Sequence, residues 1–162
     1  MPPLPTATRW PGFRRLLGVS AVIRVQGEAF DTGIEIEKLR AGNRGQAGAV
    51  VSFTGLVRDM NDGDNILQMT LEHYPGMTEK ALEQVEQDAN ARWELTASLI
   101  IHRVGALQPN DNIVLVIAAS RHRKQAFAAC EYMIDTLKTQ APFWKQETLP
   151  EGSRWVEPGQ CK

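Results

Sequence analysis

Two lysines near the carboxyl end of the chain have a spacing and a setting that could support chemistry. Lys138 and Lys145 lie seven residues apart and flank the segment 139–144, which holds a proline, a phenylalanine and a tryptophan. Partial removal of water from an ammonium group lowers its pKa and favours a chemical role. Most lysines are instead solvated surface groups, so the sequence leaves both interpretations open for this pair.

A second group of cations follows an apolar run that we predict to be a buried strand. The segment 120–124 reads Ser-Arg-His-Arg-Lys and contains His122 and Arg123, and a helical pattern begins at about Lys124. Backbone N–H groups and the helix dipole attract anions at such a strand-to-helix junction. The segment is therefore either an anion site or a solvated basic loop.

Arg58 is the third candidate, because it follows the β-branched run 48–57 and precedes the polar segment 59–65. A guanidinium at the end of a strand can hold a phosphate or a carboxylate with two parallel hydrogen bonds. Pairing of Arg58 with Asp59 or Asp62 is an equal alternative.

The three histidines do not form a metal-binding motif. His73, His102 and His122 are far apart and lack the ligand spacing of known zinc sites, so we predict no bound metal. His73 and His102 are predicted to be hydrogen-bonded structural residues. The sequence also lacks the nucleophile-elbow, P-loop and dinucleotide-binding motifs, which excludes the commonest hydrolases, NTPases and dehydrogenases.

The elements that must position these residues follow from hydrophobic periodicity and turn signals. A helix is predicted from an N-cap at Asp31 to a stop at Gly42, and the remaining elements are helices at 78–93 and about 124–139 and strands at 22–26, 48–57, 66–73, 98–104, 113–119, 143–148 and 153–156. The last two strands form a C-terminal hairpin joined by 149–152. The sum is a mixed α/β single domain without internal repeats.

Three further predictions concern how these elements connect and pack. The polar segment 59–65 is predicted to be a loop, and the strand, helix and strand within 66–104 are typical of a crossover unit. Such a unit is right-handed when its two strands pair in parallel in one sheet. One stripe of the third helix is apolar: Phe127, Cys130, Ile134 and Leu137.

Composition bounds the class of protein. The 162 residues are 43% hydrophobic and 23% charged, which is ordinary for one globular domain, here predicted at 21–158 after a proline-rich disordered extension at 1–20. The net charge of -1 argues against a protein that binds nucleic acid by overall charge.

Cys130 and Cys161 lack metal-type spacing, so we expect reduced thiols and a cytoplasmic protein. No apolar run approaches the ~20 residues of a membrane-spanning helix.

Five sequence blocks occur in the order shown by one known family. They are 49–59 (AVVSFTGLVRD), 71–77 (LEHYPGM), 101–105 (IHRVG), 120–123 (SRHR), and 138–145 (KTQAPFWK) with 154–156 (RWV). Together they resemble the large, catalytic subunit of molybdopterin synthase, the MoaE family, over a match from about Ile23 to Val156.

The resemblance implies an α/β hammerhead-type fold and a sulfurtransferase without a resident cofactor. Its partners would be a second copy of the chain, forming a central homodimer, and one small subunit at each end of a heterotetramer. That small subunit is a ubiquitin-like sulfur carrier whose Gly-Gly tail ends in a thiocarboxylate. Its sulfur is transferred to cyclic pyranopterin monophosphate (precursor Z), which forms the dithiolene of molybdopterin.

The resemblance also assigns residues to the site. Lys138 and Lys145 would be catalytic, with Lys138 beside the carrier tail and Lys145 on the substrate side as an electrostatic or proton-transfer partner. The substrate-binding positions are Leu56, Val57, Arg58, His122, Arg123, Lys138, Lys145, Gln146 and Glu147. The family often has arginine where Gln140 stands and lysine where Gln146 stands, so the rim of this pocket is expected to be less basic than usual.

Two other functions compete with this interpretation. A non-enzymatic module that binds RNA or a phosphorylated ligand would use the arginines without needing the two lysines, although the near-neutral charge weighs against RNA. A scaffold that only docks the carrier would keep the fold without activity, and the presence of both lysines argues against it.

Overall fold

The computed structural model of the chain describes residues 14–16 and 19–156. In chain order its elements are β1 (Arg14–Leu16), β2 (Val19–Gln26), α1 (Thr32–Gly42), β3 (Ala49–Leu56), β4 (Met60–Asn61), β5 (Asp64–Asn65), β6 (Gln68–His73), α2 (Met77–Arg92), β7 (Leu95–Arg103), β8 (Gly105–Leu107), β9 (Asn112–Ser120), α3 (Arg123–Gln140), β10 (Phe143–Leu149) and β11 (Gly152–Val156).

A five-stranded sheet in the order β1-β2-β7-β9-β3 forms the centre of the fold. Only β2 and β7 pair in parallel, and the other neighbours are antiparallel. Alternate residues of β9 face opposite sides: Val116 packs with α2 and α3, while Ile117 packs with α1. Because helices cover both faces, β7 and β9 are buried along most of their length.

A four-stranded antiparallel sheet in the order β11-β10-β6-β8 lies beside this core. One of its faces buries a small apolar cluster that includes Val57, Met69 and Leu107. Trp144 and Trp155 are 44% and 56% exposed, so the other face is open to solvent. This sheet confirms the predicted C-terminal hairpin, in which Lys145 pairs with Val156.

The helices lie close to their predicted positions because their end signals are local. The Asp31 side chain accepts a hydrogen bond of 2.9 Å from the Ile34 backbone N–H, and α1 ends at Gly42 as predicted. Among the described residues, no helix is long and apolar enough to cross a membrane.

The prediction of a loop at 59–65 is wrong for four residues, because β4 and β5 form a small antiparallel hairpin. Asp62 and Gly63 connect its strands with φ of 53° and 87°. Positive φ at both central positions is the turn geometry that Asp-Gly favours, because glycine adopts it without strain. The dipeptide was therefore a hairpin signal.

The prediction of a crossover unit within 66–104 is also wrong. β6 belongs to the four-stranded sheet, and the parallel partner of β7 is β2. β6 has the alternating burial of a strand with one exposed face, whereas β7 is buried on both faces. α2 therefore connects two sheets and does not cross over within one.

Two smaller differences concern the ends of predicted features. β1 pairs with β2, so Arg14–Leu16 differ from the predicted disordered extension, while 1–13 and 17–18 lie outside the described residues. On the apolar stripe of α3, Cys130, Ile134 and Leu137 are buried, but Phe127 is 64% exposed. Phe127 lies where no other described element covers this helix.

Candidate functional site

A fully buried carboxylate, Glu147, is the centre of the candidate site. Its Oε1 lies 2.7 Å from Lys145 Nζ and accepts a 2.8 Å hydrogen bond from Asn61 Nδ2. Its Oε2 accepts a 3.0 Å hydrogen bond from Arg154 Nε. Side chains two residues apart on a strand share a face, so β10 directs Lys145 and Glu147 to the same side of the four-stranded sheet.

The charge of Glu147 is held by these partners. Burial alone would raise the pKa of this carboxyl group, but the hydrogen bonds from Lys145, Arg154 and Asn61 and the charge of Lys145 outweigh it. The pKa of Glu147 is therefore lowered. An ionised carboxylate in turn fixes the ammonium of Lys145, whose side chain is only 19% exposed.

The β4–β5 hairpin connects Arg58 to this carboxylate. Arg58 donates a 3.1 Å hydrogen bond to Asn61 Oδ1, while the amide nitrogen of Asn61 donates to Glu147. Arg154 anchors the hairpin, since it donates to Asp64 Oδ2 at 2.7 Å and to the Asn61 backbone carbonyl at 3.2 Å. Asn61, which the sequence did not indicate as a partner of Arg58, thus joins the guanidinium to Glu147.

Backbone contacts fix the segment that leads to Arg58. The Val57 N–H donates to the Asp111 carbonyl at 2.9 Å, and the Asn110 N–H donates to the Val57 carbonyl at 2.8 Å. Val57 is buried in the small cluster, whereas Leu56 is 49% exposed. Leu56 therefore offers an apolar surface next to Arg58, and Val57 holds the position of the arginine.

Lys138 lies in the last turn of α3 and is exposed to solvent. A cation is favoured there by the helix dipole. Its Nζ lies 5.7 Å from the ring centroid of Phe53, a distance at which the ring face attracts the ammonium. Lys138 thus remains accessible while Phe53 restricts where its charge lies.

His122 and Arg123 lie at the opposite end of α3. His122 is the N-cap residue, makes no side-chain cap hydrogen bond, and is exposed, as is Arg123. Arg123 precedes Lys138 by fifteen residues of continuous helix, which corresponds to about 22 Å. One copy of the chain therefore does not bring these two residues to Lys138, although the resemblance assigns all three to one pocket.

Gln146 lies between Lys145 and Glu147 but points to the other face of the sheet. Its neighbours in register are Trp155 on β11 and Thr70 on β6. The predicted substrate-binding role of Gln146 therefore has no geometric link to the Glu147 network and stays a prediction. Gln140, the other departure from the family pattern, is exposed at the end of α3.

The predicted structural role of His102 is confirmed by its contacts. Its Nδ1 lies 2.8 Å from the Arg103 carbonyl, and its ring stacks on Phe143 at a centroid distance of 3.7 Å. Burial lowers the pKa of His102 to about 4. His73 Nε2 lies 3.7 Å from Glu79 Oε1, at the start of α2. His102 thus packs against Phe143, the first residue of β10, which precedes Lys145 by two residues.

Sequence reasoning missed Asn61, Asp64 and Arg154 as parts of the site network. Asn61 and Asp64 were predicted to lie in a polar loop, and Arg154 was noted only as part of a family block. Their contacts join segments separated by up to 93 residues, which periodicity does not detect. The Asp-Gly turn was the one local signal that could have revealed the hairpin.

Comparisons with known proteins agree with one another. A model of the MoaE protein family matches residues 25–140. The molybdopterin synthase catalytic subunit of Ralstonia nicotianae is 59% identical over 135 residues, which cover 83% of this chain and 76% of that protein.

Solved structures give the same result. The MoaE protein of Burkholderia ambifaria MC40-6 is 48% identical with a TM-score of 0.75, and the match covers 88% of this chain and 92% of that one. Molybdopterin synthase from Staphylococcus aureus is 37% identical with a TM-score of 0.75, over 82% of this chain and 95% of that one. The mixed α/β fold is the one these proteins have.

Proposed function

The chain belongs to the MoaE family, and we propose that it is the catalytic subunit of a molybdopterin synthase. Relatives with that name match this chain over most of their own length. A catalytic subunit implies a second subunit, and for this family the partner is the small ubiquitin-like sulfur carrier. The chain would accept the thiocarboxylated tail of that carrier and a cyclic pyranopterin monophosphate.

The reaction transfers the carrier's sulfur to carbon atoms of the pterin. Each transfer forms one C–S bond on the substrate in place of a C–O bond that breaks there. Water hydrolyses the acyl C–S bond of the carrier, which is left with an ordinary carboxylate. Both reactants are anionic, so their approach is opposed by repulsion that grows as water is excluded. A site for this reaction needs fixed cations in a partly dry setting.

The observation that carries the proposal is the fixed Lys145 ammonium. It lies 2.7 Å from a carboxylate that is closed to solvent, and Asn61 ties the same carboxylate to Arg58. A cation held in this way is in place before substrate binds, so no reorganisation is needed as charge develops. Glu147 supports that arrangement from within the protein.

The difference in exposure between the two lysines supports a division of roles. Lys138 is exposed at the end of α3, where the tail of a second protein can reach it. Lys145 is less exposed and belongs to the network around Glu147. We therefore assign Lys138 to the carrier thiocarboxylate and Lys145, with Arg58, to the pterin substrate.

His122 and Arg123 require a second copy of the chain to take part in this pocket. They lie at the far end of α3 from Lys138, yet they are the strongest candidates for the phosphate of the substrate. The homodimer that the family forms would supply them from the partner subunit. The catalytic unit is then two chains with two composite sites.

Location and domain bounds complete the proposal. A cytoplasmic site of action is supported by Cys130, which is a free, buried thiol. The proposed functional domain is 21–158, and deletion of 1–20 is expected to leave turnover unchanged. Turnover that falls with this deletion, in a variant that still folds, would contradict these bounds.

Reconstitution tests the function. The purified chain is incubated with the thiocarboxylated carrier and the pyranopterin precursor, and molybdopterin is measured as its fluorescent oxidation product. Product is expected only when all three components are present. A stable complex with the carrier that yields no product would favour the docking scaffold.

An RNA-binding or phosphate-binding module is the other candidate, favoured by the exposed cations at 121–124. A module of this kind would not explain why Lys145 pairs with the buried carboxylate of Glu147. Titration with single-stranded RNA in a gel-shift assay separates the two, since the synthase is expected to bind it only weakly and in a salt-sensitive way.

A further inference from the structure

The segment between α3 and β10 sets the distance between the two lysines of the proposed site. Lys138 lies in the last turn of α3, and Lys145 is the third residue of β10. Only Ala141 and Pro142 connect the two elements. Both elements are rigid, since α3 packs on the core and β10 lies between β6 and β11. The path of this junction, defined here as 141–143, therefore fixes one ammonium group relative to the other.

The local sequence ends the helix but does not fix the direction in which the chain continues. Ala141 is extended, with φ of -78° and ψ of 130°, as expected for a residue that precedes proline. Proline in turn fixes its own φ and has no N–H to donate. The remaining freedom lies at ψ of Pro142, so the group that binds the Pro142 carbonyl determines where β10 begins.

That group is the hydroxyl of Thr78, a completely buried side chain in the first turn of α2. Thr78 Oγ1 donates a 3.2 Å hydrogen bond to the Pro142 carbonyl and accepts a 3.1 Å hydrogen bond from the Tyr74 backbone N–H. A buried hydroxyl is stable only when it has such partners. Here the partners connect the junction to the turn 74–77, which lies 64 residues away along the chain.

The turn that precedes α2 is fixed by its own hydrogen bonds. The Thr78 N–H donates to the Tyr74 carbonyl at 3.0 Å, and the Gly76 N–H donates to Glu79 Oε2 at 2.6 Å. Gly76 has a φ of 82°, which glycine adopts without strain. The Thr78 hydroxyl is therefore in place before any substrate binds.

A second contact supports the last residue of the junction. Phe143 pairs with His73 on β6, and its ring stacks on the buried ring of His102 at a centroid distance of 3.7 Å. Stacked rings slide past one another at little cost, whereas a hydrogen bond fixes both a distance and an angle. The Thr78 hydroxyl is therefore the contact that sets the position of the junction.

We propose that Thr78 is a positioning residue for sulfur transfer, whose hydroxyl holds the junction so that Lys138 and Lys145 keep the separation that the reaction requires. The proposal rests on the proposed function, because it assumes that each lysine holds one of the two anionic reactants. Reacting atoms must approach within about 3–3.5 Å, and a displacement of about 1 Å lowers the rate up to about a hundredfold. Thr78 is closed to solvent and acts only through the backbone of Pro142.

Two substitutions at Thr78 test the hydroxyl. Thr78→Val removes it and keeps nearly the same volume, whereas Thr78→Ser retains it. Turnover is measured with the thiocarboxylated carrier and the pyranopterin precursor. We expect kcat of Thr78→Val to fall about tenfold or more and Thr78→Ser to recover most of this loss. KM for either reactant should change less than kcat, because each lysine still binds its own anion while their alignment is lost.

Thr96→Val is the matched control, since it removes the hydroxyl of another threonine that bonds a buried partner. Thr96 Oγ1 accepts a 2.8 Å hydrogen bond from Nδ2 of the buried Asn43, at the end of β7 opposite His102. A purely structural role of Thr78 predicts that both variants lose stability in urea unfolding and that both keep the wild-type kcat. The proposal predicts a loss of kcat in Thr78→Val alone.

Hydrogen exchange measures the junction without reference to activity. Backbone amides in 141–145 are expected to exchange faster in Thr78→Val than in the wild type, while those of β9 stay unchanged. Thr78→Ser is expected to match the wild type. If Thr78→Val does not fold, Thr78→Ser and Thr78→Ala allow the same comparison, because they differ only by the hydroxyl.

The outcomes separate this proposal from the proposed function. Wild-type kcat in Thr78→Val would overturn the role of Thr78 and leave the function intact, and so would an equal loss of kcat in Thr78→Val and Thr78→Ser. A wild-type chain that forms no product would reject the function, and a role of Thr78 in sulfur transfer with it, even if 141–145 exchanges faster in Thr78→Val.

Discussion

Lys145 Nζ lies 2.7 Å from Glu147 Oε1, and the carboxylate it contacts is completely closed to solvent. A buried charge is stable only when partners offset its loss of water. Lys145, Arg154 and Asn61 together provide those partners. The pair therefore combines a structural requirement with a cation held ready for anionic substrates.

Replacement of Glu147 is expected to reduce both stability and turnover. Glu147→Ala removes the carboxylate that Lys145 and Arg154 share, so two like charges remain near each other without their counter-charge, and the free energy of unfolding is expected to fall measurably. Urea unfolding measures this loss. Glu151→Ala, in the exposed turn between β10 and β11, is the control and is expected to stay within about 0.5 kcal/mol of the wild type. Equal effects of the two substitutions would contradict the network.

Replacement of Asn61 is expected to lower turnover more than stability, because it releases Arg58 from Glu147. A small displacement of a binding group costs up to about a hundredfold in rate, so kcat/KM of Asn61→Ala should fall about tenfold or more. Asn65→Ala, on the other strand of the same hairpin, is the control. The measurement is turnover beside the thermal midpoint of both variants. Wild-type kinetics in Asn61→Ala would remove Asn61 from the site.

His102 is expected to make the protein acid-sensitive. Burial lowers its pKa from 6.5 to about 4. Between pH 6.5 and pH 4, His102 therefore binds a proton in the unfolded chain but not in the folded chain. Stability is therefore complete above about pH 6.5 and is lost as pH falls towards 4, by at most roughly 3 kcal/mol. Unfolding of the wild type and of His102→Gln across this range measures the difference. A pH slope that His102→Gln leaves unchanged would assign the effect to another group.

Replacement of Gly48 is expected to disturb the basic segment 120–123. The added methyl group of Gly48→Ala would lie 2.3 Å from the Arg121 carbonyl oxygen, so one of the two backbones must shift. A cost of about 1–3 kcal/mol in unfolding free energy is expected, together with weaker binding of the pterin phosphate. Gly42→Ala meets no atom within 4 Å and serves as the control. If both variants behave alike, the close approach at Gly48 has no consequence.

Local signals predicted the helices and most strands, while long-range contacts determined the rest. Asp31 and Gly42 mark α1 through hydrogen bonds and turns within a few residues, so the sequence alone located it. The hydrogen bond between Asn61 and Glu147 joins positions 86 residues apart, and no periodicity indicates it. The assignment of β6 to a second sheet also depends on β10, which lies far along the chain.

The candidate site shows the same division. Lys138, Lys145 and Arg58 were identified by type, spacing and family resemblance, and the structure places Lys145 and Arg58 in one network. His122 and Arg123 lie at the opposite end of α3 from Lys138. The sequence motifs did not indicate this separation in space. Phe127 fits the apolar stripe by spacing but lies on the uncovered side of the helix, because its neighbours in the fold decide burial.

Turnover of Lys138→Ala with the thiocarboxylated carrier and the pyranopterin precursor tests the proposed sulfur transfer at its central residue. Lys138 should orient the thiocarboxylate, so the variant is expected to bind the carrier yet lose about a hundredfold or more in product formation. Lys80→Ala, an exposed lysine on α2, is the matched control and should equal the wild type. Product at the wild-type rate from Lys138→Ala would contradict a catalytic role of this lysine in sulfur transfer.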